Sequence, residues 1–388
     1  MTKSKDSNND SVVILGGGIG GIAAANRLRR RLGGEHRITL INKHPEFSFA
    51  PSYLWVMTGA RKASQITKPL SGLQRRGIDL EIGNIEEIDP VERKVTVQGR
   101  EIYGDHLIVA LGADYNAESI PGLADSGTTF ATLLGAESLS RSIPEIQRGK
   151  VVINTAAALY RCPAAPYESA LLIDAMLRRK GIRGRVDIEL HAAEPAPLAV
   201  AGSNVSEAVK EILHRRSIDY YPSHQITSAE NGLLHFSDGQ SVSFDLLAYM
   251  PPIKPPSVLS TSKLAGSTGW IEVDPNSLLT QFPGVYAIGD NTNIPLQIGK
   301  PLPRAGVFAH SQALVVADNI ASMIKGDSHT AAFDGHGGCF LESDFHRASY
   351  ASGNFYAPPS PKVNVKSPSR RSHIAKVVFE YNVMRRWL

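Results

Sequence analysis

Val12-Val13-Ile14-Leu15-Gly16-Gly17-Gly18-Ile19-Gly20-Gly21 runs from four apolar residues straight into a glycine-rich turn. A short, unbroken apolar run reads as a strand buried on both faces, the habit of parallel sheets. The glycines satisfy GxGxxG, and each has a physical task. Gly16 permits the tight turn, Gly18 lets the backbone approach a pyrophosphate, and Gly21 lets the helix pack close to the strand. The sequence predicts a helix over residues 22–32 and a second strand over 37–41, completing a βαβ unit of about 30 residues. Free N–H groups and the positive dipole end at the helix start favour phosphate, so Gly16, Gly18, Gly20 and Gly21 are the candidate cradle. The acid expected after the second strand, for a ribose, is missing. Asn42 stands there, followed by Lys43, and an Asn side chain can still bond a ribose hydroxyl.

Outward from this unit the pattern recurs. Residues 105–110 (DHLIVA) read as a buried strand, and residues 150–154 (KVVIN) open a second βα unit with a helix over 167–180 and a strand over 186–190. Residues 244–249 close that unit, and Pro251, Pro252, Pro255 and Pro256 mark a linker. A last strand over 285–288 leads into Gly289-Asp290. The expected fold is α/β, with two Rossmann-like dinucleotide-binding domains and a C-terminal amphipathic helical tail. The first domain is discontinuous (11–115 and 265–335), the second spans 116–264, and the C-terminal region spans 336–388. Residues 154–163 (NTAAALYRCP), the second βα turn, contain no glycine. Cβ atoms there would obstruct a pyrophosphate, which argues against a nicotinamide nucleotide. Cys162 stands near the start of the following helix, where N–H groups lower a thiol's pKa and make it nucleophilic.

With 388 residues, 42% of them hydrophobic and 20% charged, the chain can bury one large core or two ordinary ones. Two cysteines exclude a disulfide scaffold, and no CxxC or HExxH spacing indicates a metal. No signal-peptide pattern and no run of about 18 apolar residues is expected to cross a membrane. Residues 366–388 hold six basic residues and one acid, so the net charge of +4 belongs to the tail and nucleic-acid binding by the body is not supported. Ile374, Val377, Val378, Tyr381, Met384 and Leu388 recur at helical spacing among Arg370, Arg371, Lys376, Arg385 and Arg386. Such a helix suits a membrane surface; the other reading is a helix docked on the protein itself or on a dimer partner.

Several segments together resemble the sulfide:quinone oxidoreductase and flavocytochrome c sulfide dehydrogenase (flavoprotein subunit) family. They are residues 47–56 (FSFAPSYLWV), 160–168 (YRCPAAPYE), 301–310 (PLPRAGVFAH), 338–342 (GCFLE) and the C-terminal 355–388. The resemblance implies FAD in the first domain. Its contacts then fall on the glycine turn, Asn42, Lys43, Pro51, Ile85, Ala110, Gly112, Gly289, Asp290, Arg304 and Gly306. Asp290 would meet the ribityl chain; on local grounds alone it is a helix N-cap. Cys162 and Cys339 fall where the family carries its redox pair, and Glu168 is either a proton carrier beside them or an ordinary first-turn glutamate. On this pattern hydrosulfide opens a Cys162–Cys339 disulfide, Cys162 keeps the sulfur, and the Cys339 thiolate passes two electrons to the flavin. Phe340, Phe355 and Tyr356 are the candidate quinone channel. The implied partners are sulfide or a small thiol, a quinone, and a membrane surface on the cytoplasmic side, with self-association open. Ala131 stands where many relatives carry a third cysteine. Two other readings remain: a soluble sulfide or thiol dehydrogenase that reduces a cytochrome, and a non-catalytic flavin–disulfide sulfur sensor.

Overall fold

A computed structural model describes residues 9–328 and 330–388. One five-stranded sheet is assembled in the order Val285–Ala287, His106–Val109, Ser11–Leu15, Arg37–Asn42, Asp79–Ile82, with every pair parallel. Residues Val12 to Leu15 are buried, as an apolar strand with neighbours on both sides requires. The helix Ile19–Leu32 starts three residues ahead of the expected position, because Gly20 and Gly21 lie inside its first turn. Its Ala-rich buried face (Ala23, Ala24, Ala25, Leu28) packs on the helix Gly306–Lys325, and Arg27 clamps the pair by two 2.8 Å bonds to Asp318. By length and composition Gly306–Lys325 could cross a bilayer, contrary to the expectation that no such segment exists. Nine of its residues, Phe308 to Ser322, are buried inside the protein, which makes it a core helix.

A second five-stranded parallel sheet has the order Thr128–Thr129, Leu246–Met250, Gly149–Thr155, Val186–Ala192, Asp219–Tyr221. The chain passes between the sheets on a two-stranded ribbon, Asp114–Tyr115 against Ile253–Lys254. The helix Ala165–Lys180 has Pro166 in its first turn and ends at Gly181 in the left-handed region, the usual arrangement of breaker residues. Both sheets fall on the α/β pattern of the apolar runs.

The C-terminal region departs from the expectation of a helical tail. His336–Asp344, Arg347–Asn354 and Lys362–Ser369 form an antiparallel three-stranded sheet before the helix Arg370–Arg386 begins. Ser369 caps that helix by accepting from the Ser372 N–H at 3.1 Å. The helix does not present the single apolar stripe read from the sequence. Ile374, Val378 and Tyr381 are half exposed or more, whereas Met384, Val383, Lys376 and Glu380 are buried against the body. Two charged side chains point inward because each finds an oppositely charged partner there, Glu168 for Lys376 and Arg61 for Glu380.

Candidate functional site

The glycine turn has the shape that a pyrophosphate needs. Gly16 sits at φ +105°, and a Cβ there would lie 2.3 Å from the Ala110 carbonyl oxygen. A Cβ on Gly21 would lie 1.8 Å from the Gly16 oxygen, whereas one on Gly18 would meet nothing within 4 Å. Gly18 therefore faces open space at a helix N-terminus. Asn42 braces the turn from within: its Oδ1 accepts from Gly17 N–H at 2.7 Å and its Nδ2 donates to His44 O at 2.8 Å. The amide expected to hold a ribose is thus mostly committed to the protein. Lys43 is exposed beside it, Pro51 and Ile85 are half-buried, and Gly306 opens its helix against Ile19.

At the same C-terminal strand ends of the first sheet, Ala110 and Gly112 face Gly289, Asp290 and Asn291, and Asn291 Oδ1 accepts from Gly112 N–H at 3.2 Å. Two buried donors there, Asn291 Nδ2 and Arg304 Nη1, have no partner among the described residues. Buried polar groups are rarely left so, and a polar cofactor chain lying between them would satisfy both. Burial pushes the Arg304 guanidinium down to about 10, with Asp290 pulling the other way. Asp290 itself is not a free acid. Arg161 Nε lies 2.8 Å from its Oδ2, a tie that the sequence did not reveal. The residue after Arg161 is Cys162, whose N–H donates to Arg304 O at 2.8 Å. The cysteine loop is therefore fastened to the two residues expected at the cofactor. Cys162 is held at φ +54°, a left-handed conformation that costs a non-glycine residue about 1–2 kcal/mol.

Cys339, on the strand His336–Asp344, comes within hydrogen-bond reach of Cys162 although 177 residues separate them. The Cys339 thiol and the Ala165 N–H hold the Cys162 thiol below its ordinary pKa. The same contact and burial push Cys339 well up, so in the reduced pair the proton stays on Cys339. Glu168 is buried next to them, and its carboxylate pairs with the ammonium of Lys376, reaching in from the C-terminal helix. Burial raises the Glu168 pKa, which Lys376 partly offsets. Lys376 had been expected among the membrane-facing cations; it belongs to this site instead.

The second βα turn carries no glycine, and the acid beyond its next strand is engaged by the protein itself. Glu194, just beyond the strand Val186–Ala192, occupies the place of a ribose-binding acid. Thr155, Tyr160 and Tyr167 donate their hydroxyls to its carboxylate at 2.5, 2.6 and 2.5 Å. Nearby lies a mainly apolar cavity of about 430 Å³, between this turn, the loop 300–305 and the C-terminal sheet. It reaches Cys339, and Phe340, Phe355, Leu198 and Val307 are among its walls. Tyr356, grouped with the two phenylalanines in the sequence, is not there. Its ring packs edge-on against Phe333 and its hydroxyl donates to Pro275 O at 2.9 Å.

Residues 10–313 match the family model described as pyridine nucleotide-disulphide oxidoreductase. The chain belongs to that family. Its members' shared dinucleotide fold, with the cradle and orphan donors above, makes FAD the cofactor. The chain is 28% identical to the sulfide-quinone reductase of Aquifex aeolicus, over 95% of this chain and 89% of that one. It is 24% identical to the mitochondrial sulfide:quinone oxidoreductase of Mus musculus, over 91% of this chain and 80% of that one. The crystal structure of the Aquifex aeolicus sulfide:quinone oxidoreductase superposes with a TM-score of 0.88 at 26% identity, covering 97% of this chain and 92% of that chain. More distant relatives include a type II NADH:quinone oxidoreductase from Staphylococcus aureus, 24% identical over 82% of this chain.

Proposed function

We propose that this flavoprotein oxidises sulfide at the Cys162–Cys339 pair and delivers the electrons, through FAD, to a quinone drawn from a membrane surface. The observation that carries the reading is the meeting of the two cysteines beside Asp290 and Arg304. When bound, FAD supplies a two-electron carrier; the protein positions the sulfurs and handles protons. With the pair oxidised, hydrosulfide attacks one sulfur, the S–S bond breaks, and the other cysteine leaves as a thiolate. Two features favour Cys339 as the sulfur attacked, the reverse of the order expected from the sequence. The cavity opens on Cys339, and Cys162 stands just ahead of the helix Ala165–Lys180, whose free N–H groups stabilise a departing thiolate. The persulfide then forms on Cys339; as its outer sulfur loses its proton and bonds to Cys162, closing a trisulfide, the electron pair of the Cys162 thiolate, tied to the cofactor residues through Arg161, would pass to FAD. Phe340 and Phe355 consequently line the sulfide side, and quinone meets the flavin from the opposite face.

Cys162→Ser and Cys339→Ser separate the two orders. Both variants should retain FAD and lose sulfide-driven flavin reduction. The long-wavelength charge-transfer band of a thiolate against oxidised flavin should persist in Cys339→Ser and vanish in Cys162→Ser. The opposite pattern restores the first assignment, and normal turnover in either variant removes the disulfide chemistry altogether.

The exposed strip Ile374, Val378 and Tyr381, with Arg370, Arg371, Arg385 and Arg386 about it, supports attachment to an anionic membrane surface.

A further inference from the structure

An apolar cavity admits neutral dihydrogen sulfide more readily than its anion, so a proton must leave where the sulfur becomes a nucleophile. Glu168 is placed to accept it, but Glu168 is buried and sealed from solvent by Lys376. Behind Lys376 stands a second carboxylate that nothing above uses. Glu342 is wholly buried, and Lys376 Nζ lies 3.8 Å from its Oε1. Its two oxygens sit 3.1 and 3.0 Å from Nδ1 of His373 on the C-terminal helix. The His373 side chain retains 18% exposure, and its ring meets that of exposed His346 edge-on at 5.8 Å.

We propose that Glu342 and His373 form the proton exit of the sulfide half-reaction, a file running from the cysteine pair through Glu168 and Lys376 to the surface. This rests on the sulfide reading of the cysteine pair. As the sulfur attacks, its proton goes to the Glu168 carboxylate. Lys376 takes a proton from Glu168 while releasing one to Glu342, so its charge is unchanged. Glu342 passes that proton to His373, which gives it to water. No oxidant beyond the disulfide is needed. The charged and titratable groups around the file are Cys162, Cys339 and Glu168, then Glu342 on its strand. Lys376, His373 and Glu380 come from the C-terminal helix, and Arg61 and His346 from the flanking loops. The indole of Trp55 fills the gap between Lys376, Arg61 and His373 without a titratable group of its own. Burial sets the direction of gating: it pushes Glu342 up to about 7, against the pull of Lys376 and Arg61. Above that pH the carboxylate is free to accept; below it the acceptor is already filled.

The test is stopped-flow reduction of the FAD-loaded enzyme by sulfide, between pH 6 and 8.5. Wild type, Glu342→Gln and His373→Ala are compared, with cysteine persulfide followed by mass spectrometry. Wild-type reduction should quicken as pH rises through about 7. Glu342→Gln should be slower by about tenfold or more and lose that step, while still acquiring the persulfide. His373→Ala should be slowed similarly and recover when imidazole is added, a response that a purely structural role would not give. Because His373 lies near the surface, its removal does not depend on the core tolerating a change. Wild-type rates and profile in both variants, with persulfide formed, would overturn the exit alone. If the wild type forms no cysteine persulfide, the reading of the pair fails, and the exit with it.

Discussion

At the scale of single residues, the glycines at 18 and 21 make opposite demands. Gly21 is fixed by the protein, since any side chain collides with the Gly16 carbonyl; Gly18 is fixed only by what binds outside. Gly18→Val should therefore fold normally and lose FAD affinity by at least about a hundredfold, because the branched side chain fills the pyrophosphate's place. Far-UV circular dichroism and flavin content on the same preparation check both halves. Full occupancy would move the cofactor site elsewhere. These roles were legible in the sequence, because GxGxxG after a strand states a backbone geometry directly. The partners of Asp290 and Glu168 were not. Arg161 and Lys376 lie 129 and 208 residues from them, and only the folded chain brings them together.

The C-terminal helix shows how far periodicity carries at the scale of an element. Its existence and basic character could be read, but its orientation could not. Hydropathy ranks Lys376 and Glu380 as outward-facing, and paired charges inside the protein reverse that rank. The three strands ahead of it escaped notice because Gly337, Gly338 and Gly353 dilute their apolar alternation. What remains outside is a narrow strip. Changing Ile374, Val378 and Tyr381 together to Ser should keep the flavin spectrum. It should weaken binding to anionic vesicles by roughly ten- to a hundredfold, about 0.5–1 kcal/mol for each half-exposed side chain. Flotation with vesicles measures it. Unchanged flotation would leave the strip without a membrane role. Deleting residues 367–388 is the harsher change, since it strips Glu168 and Glu342 of Lys376 and uncovers a buried acid pair. That deletion should cost stability as well as membrane binding.

At the scale of the molecule, two parallel sheets of the same kind have been given different tasks. The first keeps an open glycine cradle and orphan donors at its strand ends. The second has no glycine in its turn, holds Glu194 with three internal hydroxyls, and carries a cysteine at the head of its helix. The βαβ pattern of both was readable from apolar runs, and so was the missing second fingerprint. The filling of the second site was not, because Tyr160, Tyr167 and Glu194 look like ordinary residues until they converge. On the proposed function, electrons enter this flavoprotein from sulfur and not from a nicotinamide nucleotide. Anaerobic titration of the purified enzyme, followed by flavin absorbance near 450 nm (roughly where oxidised flavins absorb), tests it directly. About one equivalent of sulfide should bleach the flavin, a short-chain quinone should restore it, and NADH or NADPH should leave it oxidised. Rapid bleaching by either nucleotide, with none by sulfide, would rule out sulfur as the electron donor.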